Sequence, residues 1–272
     1  MSQPERKSRG RPKSAFTDPG PQTMQALDRA LGVLHALARQ DRASLTDLSL
    51  SLGIPTATTH RILTTLQKHR FAELDPATQD WMVGIEAYRT GASFLKRMNL
   101  SDISRPIMRT LMEMTGETAN LAIRDGAEVV FIGQIETPNP IRAFFNPGTR
   151  TPMHASGTGK AILATLPDDQ LRALIQSCGL PGFTDHTLTT PAALFADLGQ
   201  TRARGWSFDR EERHTGMSCI GAAIFDAQGE ALGGVSISGP SARFTTRNSL
   251  DYGQQVATAA AAITRALGGS AA

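Results

Sequence analysis

The chain has 272 residues, 40% hydrophobic and 19% charged, with a formal net charge of +3. That length accommodates two domains of ordinary size. A polar N-terminus and the lack of any 18-residue apolar run exclude a signal peptide and a transmembrane helix, so a cytoplasmic protein with no membrane partner is expected. Two cysteines, Cys178 and Cys219, are too few for a disulfide framework or a paired-cysteine zinc site. Charge is unevenly placed: residues 1–98 carry 14 Lys and Arg against 9 Asp and Glu, whereas residues 99–272 carry 14 against 16. A positive excess confined to the first part suits contact with a polyanion's phosphates.

Residues 1–23 are rich in Ser, Pro, Gly and basic side chains, with little to bury, and read as a disordered basic tail. Within them Arg9-Gly10-Arg11-Pro12 has AT-hook form, an extended segment whose Arg9 and Arg11 enter a narrow A·T-rich minor groove. A generic basic arm is the plainer alternative. Residues 24–84 then read as a DNA-binding domain. A first helix places Leu27, Ala30, Leu31, Leu34 and Leu37 on one side. Ser44-Leu45-Thr46-Asp47 has capping-box form, and Leu45, Leu48 and Leu52 make a helical stripe. Gly53 supplies a left-handed stop, and Pro55 suits the first turn of the next helix.

In that helix Thr59, Ile62, Leu63 and Leu66 share the buried face. Thr56, Ala57, His60 and Arg61 point outward near its leading end, where Thr58 also lies. Phe71–Leu74 and Trp81–Val83 flank a polar tip, as the wing of a winged helix-turn-helix would. The second helix of such a motif enters the DNA major groove, which makes Thr56, Thr58, His60 and Arg61 the candidate DNA contacts. An ordinary helical hairpin with a solvated face is the alternative.

Residues 85–100 read as a linker helix and residues 101–272 as a second domain. Ser101-Asp102 should cap a helix carrying Ile107, Met108, Leu111 and Met112. Strands are expected at 119–124, 128–134 and 141–145, helices at 158–165, 167–176 and 191–203, strands at 217–225 and 231–238, and a last helix at 249–267. Hairpins interleaved with helices predict an α+β domain with a mostly antiparallel sheet.

Chemistry-bearing patterns are sparse. His154-Ala155-Ser156-Gly157-Thr158-Gly159-Lys160-Ala161 mimics a phosphate loop. It lacks Gly five residues before its Gly-Lys pair and a hydroxyl after the Lys. What remains is a small-residue turn opening a helix, a fitting place for a small carboxylate. Cys219 and His214 could suggest a thiol and its base, but Cys219 lies in a strand where Cys219, Gly221 and Ala223 share one face. Ser236 and Ser238 likewise share a face in the following strand, and buried hydroxyls there need partners. No acid–base cluster or metal-ligand spacing accompanies them, so neither catalysis nor a metal is expected.

Several stretches together resemble the IclR family of transcriptional regulators. They are Leu52-Gly53-Ile54-Pro55, Pro152 to Ala161, Arg204-Gly205-Trp206 with Asp209 and Glu212, Gly216 to Cys219, and Ser236 to Pro240. The resemblance implies a winged helix-turn-helix joined by a linker helix to a GAF-like effector-binding domain, acting on an operator as a homodimer or homotetramer. It also implies a small-molecule effector, glyoxylate or another small 2-oxo acid, and no catalytic residue or cofactor. Gly157 and Thr158 would offer backbone N–H groups to the carboxylate; Asp209, Cys219, Ser236 and Ser238 would supply polar contacts, with Met217 as an apolar wall. Gly116 to Ile123, with Gln134-Ile135-Glu136, resembles family members that serve glyoxylate assimilation through the β-hydroxyaspartate cycle.

Overall fold

The computed structural model describes residues 24–98 and 100–270, and it divides after Phe94 into two compact units. The first contains helices α1 (Gln25–Gln40), α2 (Leu45–Leu52) and α3 (Thr56–Lys68), followed by strands β1 (Ala72–Leu74) and β2 (Trp81–Val83). The strands pair antiparallel with Leu74 opposite Trp81. Ser44 Oγ accepts from Asp47 N at 3.1 Å, which satisfies one of the orphan donors at the start of α2. Gly53 ends α2 at φ 61°, and Pro55, extended rather than helical, sits just before α3 with its carbonyl accepting from Thr58 and Thr59 N. Val33, Leu37, Leu48, Leu63 and Trp81 make the core. The expected stripe on α1 is corrected in its first half. Leu27 and Leu31 are exposed, because Val33, Ala36 and Leu37 form the face that packs.

Helix α4 (Ile85–Met98) spans the division, and α5 (Leu100–Thr115) opens the second unit, starting a residue before the expected Ser101 cap. Six antiparallel strands follow: β3 (Thr118–Asp125), β4 (Glu128–Ile135), β5 (Arg150–Pro152), β6 (Ser207–Arg210), β7 (Met217–Phe225) and β8 (Ala231–Pro240). Their order across the sheet is β5-β4-β3-β8-β7-β6. Helices α6 (Gly157–Leu163), α7 (Asp168–Cys178) and α8 (Pro191–Arg204) come between β5 and β6, and α9 (Thr246–Ala266) ends the unit.

Strands β3, β7 and β8 are buried on both faces over most of their length, and period-two alternation sends successive side chains into two different cores. Ile220, Ile224, Val235 and Ile237 pack with Leu111 of α5 and Val256 and Ile263 of α9. On the opposite side Ala122, Val129 and Phe131 pack with Ile162, Leu171 and Leu194. The fold is thus α+β with an antiparallel sheet covered on both faces.

Two expectations are corrected. Residues 141–145 form no strand: Pro138, Pro140 and Pro147 remove donors around them, and Arg150–Pro152 pairs with β4 instead. Strand β6 was not foreseen, since Ser-Phe-Asp-Arg shows no simple alternation. It pairs with β7 and places Asp209 opposite Cys219.

Gly221 lets α6 rest on the sheet. A Cβ there would lie 2.6 Å from Thr158 N and from the Gly157 carbonyl carbon. Only a residue without a side chain permits this approach.

Candidate functional site

Two surfaces concern function, one in each unit. On α3, Thr59 and Leu63 are fully buried, which fixes the helix's rotation and leaves Thr56, Ala57, His60 and Arg61 exposed, with Thr58 half-buried. Thr56 Oγ1 lies 3.1 Å from Ser49 Oγ, tying the leading end of α3 to α2. Among the described residues, the side chains of His60 and Arg61 make no hydrogen bond, while their carbonyls accept from the Thr64 and Thr65 hydroxyls. Asp75 at the wing base accepts from Arg42 at 2.9 Å, and this partner together with the Ala77 N–H holds its carboxyl below the usual range. Arg9 and Arg11 lie outside the described residues.

In the second unit a cavity of about 30 Å³ opens between the start of α6, the ends of β6, β7 and β8, and the stacked rings of Phe131 and Phe145. Of the residues expected at a ligand, Asp209, Met217, Cys219 and Ser238 are on its wall, beside Ser156, Arg213 and His214. Gly157, Thr158 and Ser236 stand immediately behind. Gly157 packs so closely on Cys219 that a Cβ there would lie 2.7 Å from Sγ. Ser236 faces Gly221 and Asn120 in the sheet. Thr158 Oγ1 and Ser236 Oγ are buried without a hydrogen-bond partner among the described residues.

The sheet orients Ser238 through a relay that sequence reasoning missed. Gln134 Nε2 donates to Asn120 Oδ1 at 3.0 Å, and Asn120 Nδ2 donates to Ser238 Oγ at 3.2 Å. An Asn within the otherwise apolar Ala119–Ile123 run is the available signal. Ser156 caps α6, accepting from Gly159 N at 3.2 Å, so its backbone and side chain are both committed to the helix start.

Lys160 explains the phosphate-loop mimicry. It is fully buried and donates to Glu212 Oε1 and to the Phe208 carbonyl, each at 2.6 Å. Asp197 Oδ2 lies 3.0 Å away, an ion pair without good hydrogen-bond alignment. The ammonium therefore holds β6 and α8 to α6 and is unavailable to any phosphate. Its carboxylates are the site's electrostatic background. Burial raises Glu212. Asp209, whose Oδ1 accepts from Glu212 N at 2.8 Å, is pushed up to about 7 by burial and by the Glu212 charge.

Burial and the Asp209 charge raise the Cys219 thiol to about 11, so it stays protonated near neutral pH and is a poor nucleophile. The hydroxyls of Ser238 and Ser236 lie near enough to the sulfur to offset part of that rise. Ser236 Oγ nonetheless reaches hydrogen-bonding geometry with no group. These features describe a small cavity in which a few polar groups are set among Phe131, Phe145 and Met217, and not a reaction centre.

Comparison with known proteins agrees. The family described as IclR helix-turn-helix domain matches residues 26–76, and that described as bacterial transcriptional regulator IclR C-terminal matches residues 92–265. The HTH-type transcriptional regulator BhcR of Paracoccus denitrificans is 47% identical over 242 residues, covering 88% of this chain and 87% of that protein. The Thermotoga maritima IclR crystal structure superposes with a TM-score of 0.75 at 28% identity, over 90% of this chain and all of that one. An IclR homolog from Microbacterium hydrocarbonoxydans complexed with 4-hydroxybenzoate shares the fold, with a TM-score of 0.78 at 20% identity over 90% of this chain and 100% of that one. The relatives are named as regulators and none of them as an enzyme. The chain belongs to the IclR family of transcriptional regulators.

Proposed function

We propose that this regulator binds its operator through α3 and senses glyoxylate, or a 2-oxo acid of similar size, in the cavity beside Cys219. The observation that carries the effector reading is the cavity itself: about 30 Å³, walled by Asp209, Met217, Cys219 and Ser238. That volume lies far below the roughly 300–1,000 Å³ of a drug-sized ligand site. Asp209 and the Ser238 hydroxyl on the wall give a polar occupant hydrogen-bonding groups to meet. A carboxylate oxygen would approach the start of α6 at Ser156, with Gly157 and Thr158 immediately behind it, and the oxo or hydrated carbon would face Asp209. The resemblance at Gly116–Ile123 and Gln134–Glu136 supports a place in glyoxylate assimilation by the β-hydroxyaspartate cycle.

Calorimetric titration tests this reading. Glyoxylate or pyruvate should give saturable heat, which the Ser236→Ala, Ser238→Ala double variant loses. Heat with a bulky aromatic acid only would overturn it. The pH dependence has a definite sign. Asp209 is protonated below about 7 and charged above it, and a charged Asp209 repels an anion, so affinity should fall from pH 6 to pH 8. The same raised value means that protonated Asp209 favours the folded state. That contribution is full below the unfolded carboxyl's pKa and is lost as pH rises through about 7.

For DNA, exposure of His60 and Arg61 on α3 supports base contacts. Arg61→Ala should weaken operator binding by roughly 1–3 kcal/mol if the guanidinium reads a base. A gel-shift titration at fixed salt gives the answer, and unchanged affinity would remove Arg61 from the contact set. The exposed Leu27 and Leu31 on α1, with exposed Met24 just before it, support self-association to a dimer or tetramer. The same titration should show an even number of chains per operator, and one chain would contradict that.

A further inference from the structure

An anion entering this cavity meets an electrostatic problem. Asp209 is on the wall. The nearest buried cation, Lys160, is already held by Glu212, Asp197 and the Phe208 carbonyl. One further cation lines the cavity, Arg213, a residue outside the contact set that family resemblance implies. Its guanidinium carbon lies 4.0 Å from the centroid of the Phe183 ring and, among the described residues, it makes neither a hydrogen bond nor an ion pair.

The backbone around Arg213 is pinned. Thr184 Oγ1 donates to the Glu211 carbonyl at 2.7 Å, and Thr187 Oγ1 to the Glu212 carbonyl at 2.6 Å. Phe183 is carried by the same loop, with Phe183 N and Thr184 N both donating to Thr187 Oγ1 at 2.9 Å. Arginine and ring are therefore held side by side on a pinned backbone, and among the described residues the stack on Phe183 is the contact that holds the guanidinium.

We propose that Arg213 is the counter-charge of the effector: its guanidinium exchanges the Phe183 ring for the carboxylate of the bound acid and closes the cavity mouth. This rests on the small-acid reading above. The exchange is favourable because charge-assisted hydrogen bonds to a carboxylate are stronger than stacking on a partly exposed ring. It also resolves the charge balance, since the incoming anion then faces one positive group as well as Asp209. Because the cavity is so small, one carboxylate oxygen can face Arg213 while the other faces the start of α6. The site thereby selects anions over neutral aldehydes of equal size.

The test is calorimetric titration of the full chain with sodium glyoxylate. Arg213→Gln should weaken binding roughly 10–100-fold, the range for losing a hydrogen bond to a charged group. Arg213→Lys should fall between that variant and the parent, because a point charge replaces a planar fork. Phe183→Leu removes the competing stack and should tighten binding by about 2–5-fold. Added salt should weaken binding to the parent chain more than to Arg213→Gln.

The opposite signs at Arg213 and Phe183 separate exchange from a general loss of structure. Weakening in both variants would mean that the pair only braces the loop, and the proposal fails. Equal affinity and salt response in Arg213→Gln and the parent also overturn it, leaving the small-acid reading intact. If the parent binds neither glyoxylate nor pyruvate, both readings fall together.

Discussion

Lys160→Met should lower the unfolding free energy of the second unit by about 3–5 kcal/mol, the usual cost of removing one partner from a buried ion pair. The loss arises on the acceptor side. Glu212 and the Phe208 carbonyl would keep their buried positions with no ammonium to meet them. For a unit of this size that corresponds to a fall in melting temperature of roughly 6–20 °C. Adding Glu212→Gln should recover part of the loss, because a neutral amide tolerates burial better than an unpaired carboxylate. The deficit of the single variant should also shrink as pH falls, because burial raises Glu212 and lets it take up a proton more readily than an exposed carboxyl. A thermal melt of Lys160→Met that overlays the parent would show the cluster to be energetically idle.

The second large effect is steric. Gly221→Ala adds a Cβ 2.6 Å from Thr158 N and 2.8 Å from the Gly157 carbonyl oxygen. Both neighbours are backbone, so no side-chain rotation relieves the clash and α6 must lift from the sheet. Overpacking of this kind costs typically about 1–3 kcal/mol, and the upper end is expected here. Gly157 packs directly on Cys219, so the same displacement should open the cavity and abolish effector heat. Calorimetry and a thermal melt together check this, and an unshifted melt with intact effector heat would refute the close-packed arrangement.

Much of the N-terminal unit is legible because its signals are local. A capping serine, a left-handed glycine and a 3.6-residue stripe each act within a few residues, and Ser44, Gly53 and Leu63 behave accordingly. The faces of β7 and β8 follow from period two, which is why Ile220 and Ile237 enter one core while Cys219 and Ser238 meet the cavity. What the sequence conceals is long-range. Lys160 finds its partners 37, 48 and 52 residues further along the chain, at Asp197, Phe208 and Glu212. Four-residue β6 has no pattern of its own and exists by pairing with β7. Arg213 reads in sequence as one more charged loop residue, and only the fold sets it against Phe183 at the cavity mouth.

The two cysteines of this chain differ sharply in availability. Cys219 is buried, with its thiol pushed up to about 11, whereas Cys178 is exposed at the end of α7. At neutral pH a maleimide dye or a spin label should therefore attach at Cys178 alone, leaving the receptacle chemically untouched. The native chain thus supplies a single addressable reporter position in the sensing unit. Its signal could be followed while effector and operator are varied, without first engineering any cysteine away.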